Sequence, residues 1–227
     1  MSRFCAIVLS GGKGTRIGGC VPKQYRMLKD KPLLAHSLVA FERSRVDDIV
    51  IVCGKGEEEY IQKEFVDKYW LSKVKNIVVG GEERYDSVYS GLKGCSNADY
   101  VLIHDGARPY VSNEIIERNM MEVEKHRAVV TAVRATDTVK VVDENGYIIT
   151  TPDRNCCYMM QTPQTFEYDL VMKAYSSYMN DRANGNSLKV TDDAQVVELY
   201  GGCKVKVVEG DVTNIKITYL ADFNKNF

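Results

Sequence analysis

Glycines and cations crowd together early in the chain, in Ser10-Gly11-Gly12-Lys13-Gly14-Thr15-Arg16 and the nearby Pro22-Lys23-Gln24. Glycine lets the backbone adopt φ > 0 and approach a ligand without a Cβ, so successive N–H groups can converge on phosphate oxygens. Lys13, Arg16 and Lys23 add positive charge beside them. Such a set suits the triphosphate of a nucleotide, which is costly to remove from water unless many donors replace its hydration. Two familiar loops are excluded. No window carries G-x-x-x-x-G-K-[ST], and the dinucleotide fingerprint begun by Gly12-x-Gly14 finds Ile17 where its third glycine belongs. A glycine- and lysine-rich turn that binds nothing is the plainer alternative.

The elements that must hold this loop follow from hydrophobic periodicity. Ala6-Ile7-Val8-Leu9 reads as a strand leading into it, and 33–41 as a helix with Pro32 near its start. Strands are expected at 48–54, 74–81, 100–105 and 129–133, with helices over 57–70, 84–92, 114–126 and 166–178. Thr191-Asp192-Asp193-Ala194 opens a further apolar-periodic run, with Thr191 as N-cap, and 205–210 and 214–218 read as closing strands. The expected fold is α/β: a Rossmann-like, mostly parallel sheet with helices on both faces. Ligands then lie beyond the strand C-termini, which gathers 11–16, Gly81, Asp105 and Arg108 around one crevice. Within 136–160, Asn145-Gly146 between two β-rich runs predicts a β-hairpin arm, read either as an ordinary edge hairpin or as a contact for a second subunit.

With 227 residues and 44% hydrophobic content, the chain is expected to form one domain over 1–227. Thirty Lys and Arg against 31 Asp and Glu give a net charge of −1, so no overall basic field is available for nucleic acid or an anionic membrane. No span reaches the roughly 18 apolar residues of a membrane helix, and a cytoplasmic location is expected. Seven cysteines, an odd number without a C-x-x-C pair, argue against a disulfide framework or a zinc site. Cys156 and Cys157 read as inert thiols, and His36, His104 and His126 are scattered.

The loop resembles the signature of sugar-phosphate nucleotidyltransferases, specifically the cytidylyltransferases acting on 2-C-methyl-D-erythritol 4-phosphate. Further segments resemble that family in the same order: Gly80-Gly81-Glu82-Glu83-Arg84 with Ser87, His104-Asp105-Gly106-Ala107-Arg108-Pro109, Asp137-Thr138-Val139-Lys140, Gln161-Thr162-Pro163-Gln164, Thr191-Asp192-Asp193-Ala194 and Asn214-Ile215-Lys216-Ile217-Thr218. The resemblance implies a nucleotide-diphospho-sugar transferase type of sheet and a role in non-mevalonate isoprenoid precursor synthesis. It also implies a homodimer whose arm helps to complete the neighbouring site.

Cytidylyl transfer from CTP needs no protein nucleophile, because the acceptor's phosphate is already largely ionised near neutral pH. The protein must supply alignment and charge neutralisation. By resemblance, Arg16, Lys23 and Lys216 are the catalytic cations, and Ser10, Gly11, Gly12, Gly14 and Gly106 line the nucleotide. Gly81, Glu82 and Ser87 match the cytosine-recognising region, while Glu83 and Arg84 read as a solvated helix start. Asp105 is the candidate ligand for Mg²⁺, directly or through water, against the alternative of a helix cap or a partner for Arg108. Arg108, Thr138, Arg154, Thr162 and Lys216 match positions that grip the polyol phosphate, some across the dimer, with an exposed strand lysine the alternative for Lys216. One departure is Asn155-Cys156-Cys157-Tyr158-Met159-Met160, which lacks the leucine–tryptophan pair often found there. The rivals are a ribitol 5-phosphate cytidylyltransferase, a non-catalytic nucleotide-binding module, and a dinucleotide-binding reductase, for which Gly54-Lys55-Gly56 stands where a ribose-binding acid belongs.

Overall fold

The apolar runs of the sequence become strands buried on both faces. The structure, a computed structural model, describes residues 2–12 and 21–224. Strand β1 (Phe4–Leu9) precedes a small ribbon, β2 (Met27–Leu28) and β3 (Lys31–Pro32), and helix α1 (Leu33–Arg43). Then come β4 (Asp48–Cys53), α2 (Glu58–Ile61) continued as a π-helical turn over Gln62–Asp67, β5 (Val74–Val79), α3 (Arg84–Gly94) and β6 (Tyr100–Asp105). The second half comprises α4 (Asn113–His126), β7 (Ala128–Arg134), the arm strands β8 (Val141–Val142) and β9 (Ile148–Thr150), β10 (Tyr158–Glu167), α5 (Tyr168–Ala183), α6 (Asp193–Val196) and β11 (Lys206–Glu209).

Seven strands form one sheet in the order β11-β7-β10-β6-β1-β4-β5. Every pairing is parallel except those of β10, which runs antiparallel to both β6 and β7. Side chains alternate across the sheet. Ala6, Val8, Ile49 and Ile51 face α1 and α4 through Leu34, Leu38, Phe41 and Ile116. Cys5, Ile7, Val50 and Val52 face α3 and α5 through Val88, Leu92, Val171 and Tyr175. Burying each such Leu, Ile or Val contributes about 1.5–3 kcal/mol, and burial on both faces explains why these strands read as unbroken apolar runs.

Three expectations need correction. The helix expected from Phe166 begins at Tyr168, because Phe166 belongs to β10, a ten-residue strand that the sequence reading did not contain. Pro163 inside that run argues against a central strand; the ladder accommodates it where its register shifts between Met160 and Gln164. Residues 214–218 form no strand. Their apolar alternation arises because Ile215 and Ile217 pack against Leu28, Leu33 and Ala107, while the Ile217 N–H donates to the Ala107 carbonyl at 2.8 Å. The N-cap of α6 is Asp192, whose carboxylate accepts from the Gln195 N–H, rather than Thr191.

The hairpin forms, but its ladder is confined to Val141–Thr150 and Val142–Ile148. Its single positive φ falls on Gly146 (+85°), and the Asp143 carboxylate accepts from the N–H groups of Asn145 and Tyr147. This is the turn of a longer loop, because a two-residue Asn-Gly turn needs positive φ at both residues.

Candidate active site

Three strand-to-helix junctions converge on a cleft of about 350 Å³ beyond the carboxyl ends of β1, β5 and β6. Ser10, Gly11, Gly12, Lys23, Gly81, Glu82, Ser87, Asp105 and Lys216 all line it. Gly14 and Arg16 lie outside the described residues. Ser10 is fixed by its N–H and hydroxyl, both donated to the Val52 carbonyl, and Gln24 reaches back to the Ser10 carbonyl at 2.7 Å.

The glycines serve by absence of bulk rather than by unusual dihedrals, for none of Gly11, Gly12 and Gly81 has a positive φ. A Cβ on Gly11 would press on the Cys53 carbonyl at 3.3 Å, and one on Gly81 would overlap Asp86 at 2.2 Å. Gly12 faces open space. Gly106 is buried beside the cleft rather than on its lining; a Cβ there would collide with the Leu9 carbonyl and Leu34, both at 2.8 Å.

At the start of α3, Glu83 and Asp86 form a reciprocal capping box, and Ser87 Oγ accepts from the Gly81 N–H while donating to the Glu83 carbonyl. This fixes the backbone of Gly81 and Glu82 at the rim. Arg84, expected in solvent, instead points inward. Its Nη1 and Nη2 donate to Asp193 at 2.7 and 2.6 Å, and its Nε to Asp105 Oδ1 at 3.3 Å. The second oxygen of Asp105 accepts from Lys216 Nζ at 2.6 Å. Burial pushes the Asp105 carboxyl up, but Arg84 and Lys216 outweigh it and hold the group well below the usual carboxylate range.

Beneath Asp105 lies a neutral relay. The Asp105 N–H donates to Thr162 Oγ1 at 3.1 Å, and that hydroxyl lies 3.0 Å from His104 Nδ1. His104 Nε2 lies 3.2 Å from the Arg108 carbonyl, which can only accept; Nε2 therefore carries the proton and Nδ1 accepts from Thr162. Complete burial lowers the His104 pKa to about 4, so the ring is neutral near pH 7.

Thr162 thus supports Asp105 from behind, buried, rather than facing the cleft. Arg108 also sits behind it, its guanidinium donating to the carbonyls of Asn214 and Met160, with Nε buried and unpartnered. Thr138 and Arg154 are exposed at the arm and do not line the cleft of their own chain; Arg154 donates to the Thr136 carbonyl at 3.2 Å. No sequence motif pairs Arg84 with Asp193. The available signal was Asp193 itself, an acid in an otherwise apolar-periodic helix start.

Lys23 and Lys216 come from distant segments, yet Lys23 Nζ donates to the Ile217 carbonyl at 3.0 Å and so ties the two together. A larger groove of about 950 Å³ lies between β7, β11 and the root of the arm, but it contains none of the residues named for the cleft. The convergence of donors, not volume, marks the site. Among the described residues the six cysteines are free thiols, and no helix is long and apolar enough to cross a membrane.

A cation-lined cleft at the strand ends of a mostly parallel sheet defines an α/β fold of the nucleotidyltransferase type. The family model for IspD, 2-C-methyl-D-erythritol 4-phosphate cytidylyltransferase, matches residues 4–226. A relative of that name from Lachnoclostridium phytofermentans is 44% identical over 218 residues, covering 96% of this chain and 92% of the relative. Another from Lachnospira eligens is 45% identical over 215 residues, covering 94% and 92%. The crystal structure of a 4-diphosphocytidyl-2C-methyl-D-erythritol synthase from Anaerococcus prevotii superposes with a TM-score of 0.86 at 33% identity, covering 98% of this chain and 93% of that one. The chain belongs to the IspD family of cytidylyltransferases.

Proposed function

We propose that this chain transfers CMP from CTP to 2-C-methyl-D-erythritol 4-phosphate, releasing pyrophosphate and 4-diphosphocytidyl-2-C-methyl-D-erythritol, as a cytoplasmic step of non-mevalonate isoprenoid precursor synthesis. The observation that carries this reading is the junction of Lys23 and Lys216, tied through the Ile217 carbonyl, in a cleft also lined by Gly11 and Gly12. An anionic oxygen of the acceptor phosphate bonds to the α-phosphorus, the bond to the β-phosphate oxygen breaks, and its electron pair leaves on pyrophosphate. Lys23 and Lys216, together with Arg16, neutralise the charge that accumulates on the phosphoryl oxygens. Backbone carbonyls at Gly81 and Glu82, in the segment held by Ser87, accept from the exocyclic amine of cytosine.

Both oxygens of Asp105 already accept from cations, and no cluster of three or more His, Cys, Asp or Glu side chains exists among the described residues. That donor set fits a magnesium ion held chiefly by substrate phosphates, with Asp105 the protein's contact, directly or through water. Such an ion would offset triphosphate charge when bound.

The whole chain serves as one catalytic domain. The exposed Thr138 and Arg154 of the arm are assigned to the acceptor of a second subunit, with Arg108 and Thr162 supporting the acceptor side from within. Pyrophosphate release tests the reading, with 2-C-methyl-D-erythritol 4-phosphate and ribitol 5-phosphate offered side by side to CTP. Turnover is expected with the first, abolished by EDTA and restored by magnesium. Preference for ribitol 5-phosphate, or no release with either, overturns it.

A further inference from the structure

Thr191-Asp192-Asp193-Ala194 acquires no role in the cleft itself, yet it places a fully buried acid with three donors on its carboxylate. Asp193 is fully buried, and its carboxylate accepts both terminal nitrogens of Arg84 and the Tyr175 hydroxyl. The helix start that carries it is pinned to β10. Gln164 donates to Asp192 Oδ2 at 2.9 Å and accepts from the Ala194 N–H at 2.8 Å. Arg84 Nε donates to Asp105, whose other oxygen holds Lys216. Charges therefore alternate from the interior to the cleft: Asp193, Arg84, Asp105, Lys216.

We propose that Asp193 is a positioning residue for cytidylyl transfer: by engaging Arg84 at both terminal nitrogens it leaves Asp105 one oxygen with which to hold Lys216 toward the substrate. The reason is competition. A guanidinium prefers a two-pronged partner. Deprived of Asp193, Arg84 turns that fork onto Asp105, the remaining carboxylate it touches, and Lys216 is displaced. Asp193 contacts no cleft surface, so it acts only through this chain. The inference rests on the reading of Lys216 as a cation of the transfer site.

Two measurements on the full chain test it: steady-state kinetics with CTP, and competitive acetylation of Lys216 followed by mass spectrometry. For Asp193→Asn, folded by circular dichroism, kcat is expected to fall about 100-fold while KM for CTP moves less than about threefold. Lys216 acetylation should rise several-fold. In a Lys216→Met background the same substitution should cost less than about threefold more, since the two act as one unit. Equal losses in both backgrounds with unchanged acetylation, the pattern of a merely structural residue, overturn the proposal. If Asp193→Asn does not fold, Tyr175→Phe removes one hydrogen bond from Asp193; a smaller kcat loss with raised acetylation supports the proposal, and no change in either overturns it. Wild-type protein that releases no pyrophosphate, yet shows the acetylation response, sinks the functional reading while leaving the Asp193 linkage standing.

Discussion

Lys23 sits half-buried at the cleft, its ammonium donating to the Ile217 carbonyl. Lys23→Ala is expected to lower kcat by about 100-fold or more, as the loss of one preorganised charge donor does. Stability should change by only about 1 kcal/mol, the worth of one hydrogen bond. Arg16→Ala should lower kcat comparably. Pyrophosphate-release kinetics beside thermal melts check both, and unchanged turnover refutes either role. His104 makes a separate, titratable prediction. Its native pKa of about 4 lies below the ordinary 6.5, so the unfolded chain binds more protons between those values. Its contribution is therefore complete above pH 6.5 and is lost as pH falls, by about 2 kcal/mol at pH 5. Denaturation midpoints across pH 6.5 to 5 should slope in wild type and flatten in His104→Gln; equal slopes refute the assignment.

Helix α3 is placed by what it lacks. A Cβ on Gly91 would lie 2.5 Å from Ile7 Cγ2 and 3.0 Å from Val52 Cγ2, so the helix rests directly on β1 and β4. Gly91→Ala should destabilise by about 1–3 kcal/mol through overpacking, measured by urea denaturation. A neutral result would mean that the helix can lift without cost. The parallel strands β1, β4 and β6 were legible in the sequence because burial on both faces demands continuous apolar runs. Strand β10 was not, because Pro163 interrupts it and its polar residues, Gln161, Thr162, Gln164 and Thr165, read as loop. Those residues are buried because each finds a partner in the interior: Gln161 at Asp211, Thr162 at His104, Gln164 at Asp192 and Thr165 at Asn119.

Across the whole molecule, the arm exposes Tyr147, Ile148 and Ile149 at 74, 62 and 65%. Contiguous exposed apolar side chains mark an interaction surface, in keeping with the proposed homodimer. Sedimentation of the wild-type chain should give a dimer. Replacing Ile148 and Ile149 by Asp should give a monomer, with about 2 kcal/mol or more of association lost at each anchor. The acceptor KM should then rise, because Thr138 and Arg154 no longer reach a neighbouring site. A monomeric wild-type chain with full turnover refutes the shared site.

The sequence by itself determined the alternation of strands and helices and the glycines that follow the first strand. Each of these is written in local periodicity or in residue type. Tertiary structure alone decided the partners. The antiparallel β10 brings Thr162 and Gln164 beneath the site, an irregular segment lays Lys216 over Asp105, and a helix start far along the chain delivers Asp193 to Arg84. These pairings depend on which strands are neighbours in the sheet. They join residues as much as 111 positions apart, a distance over which no local pattern carries information.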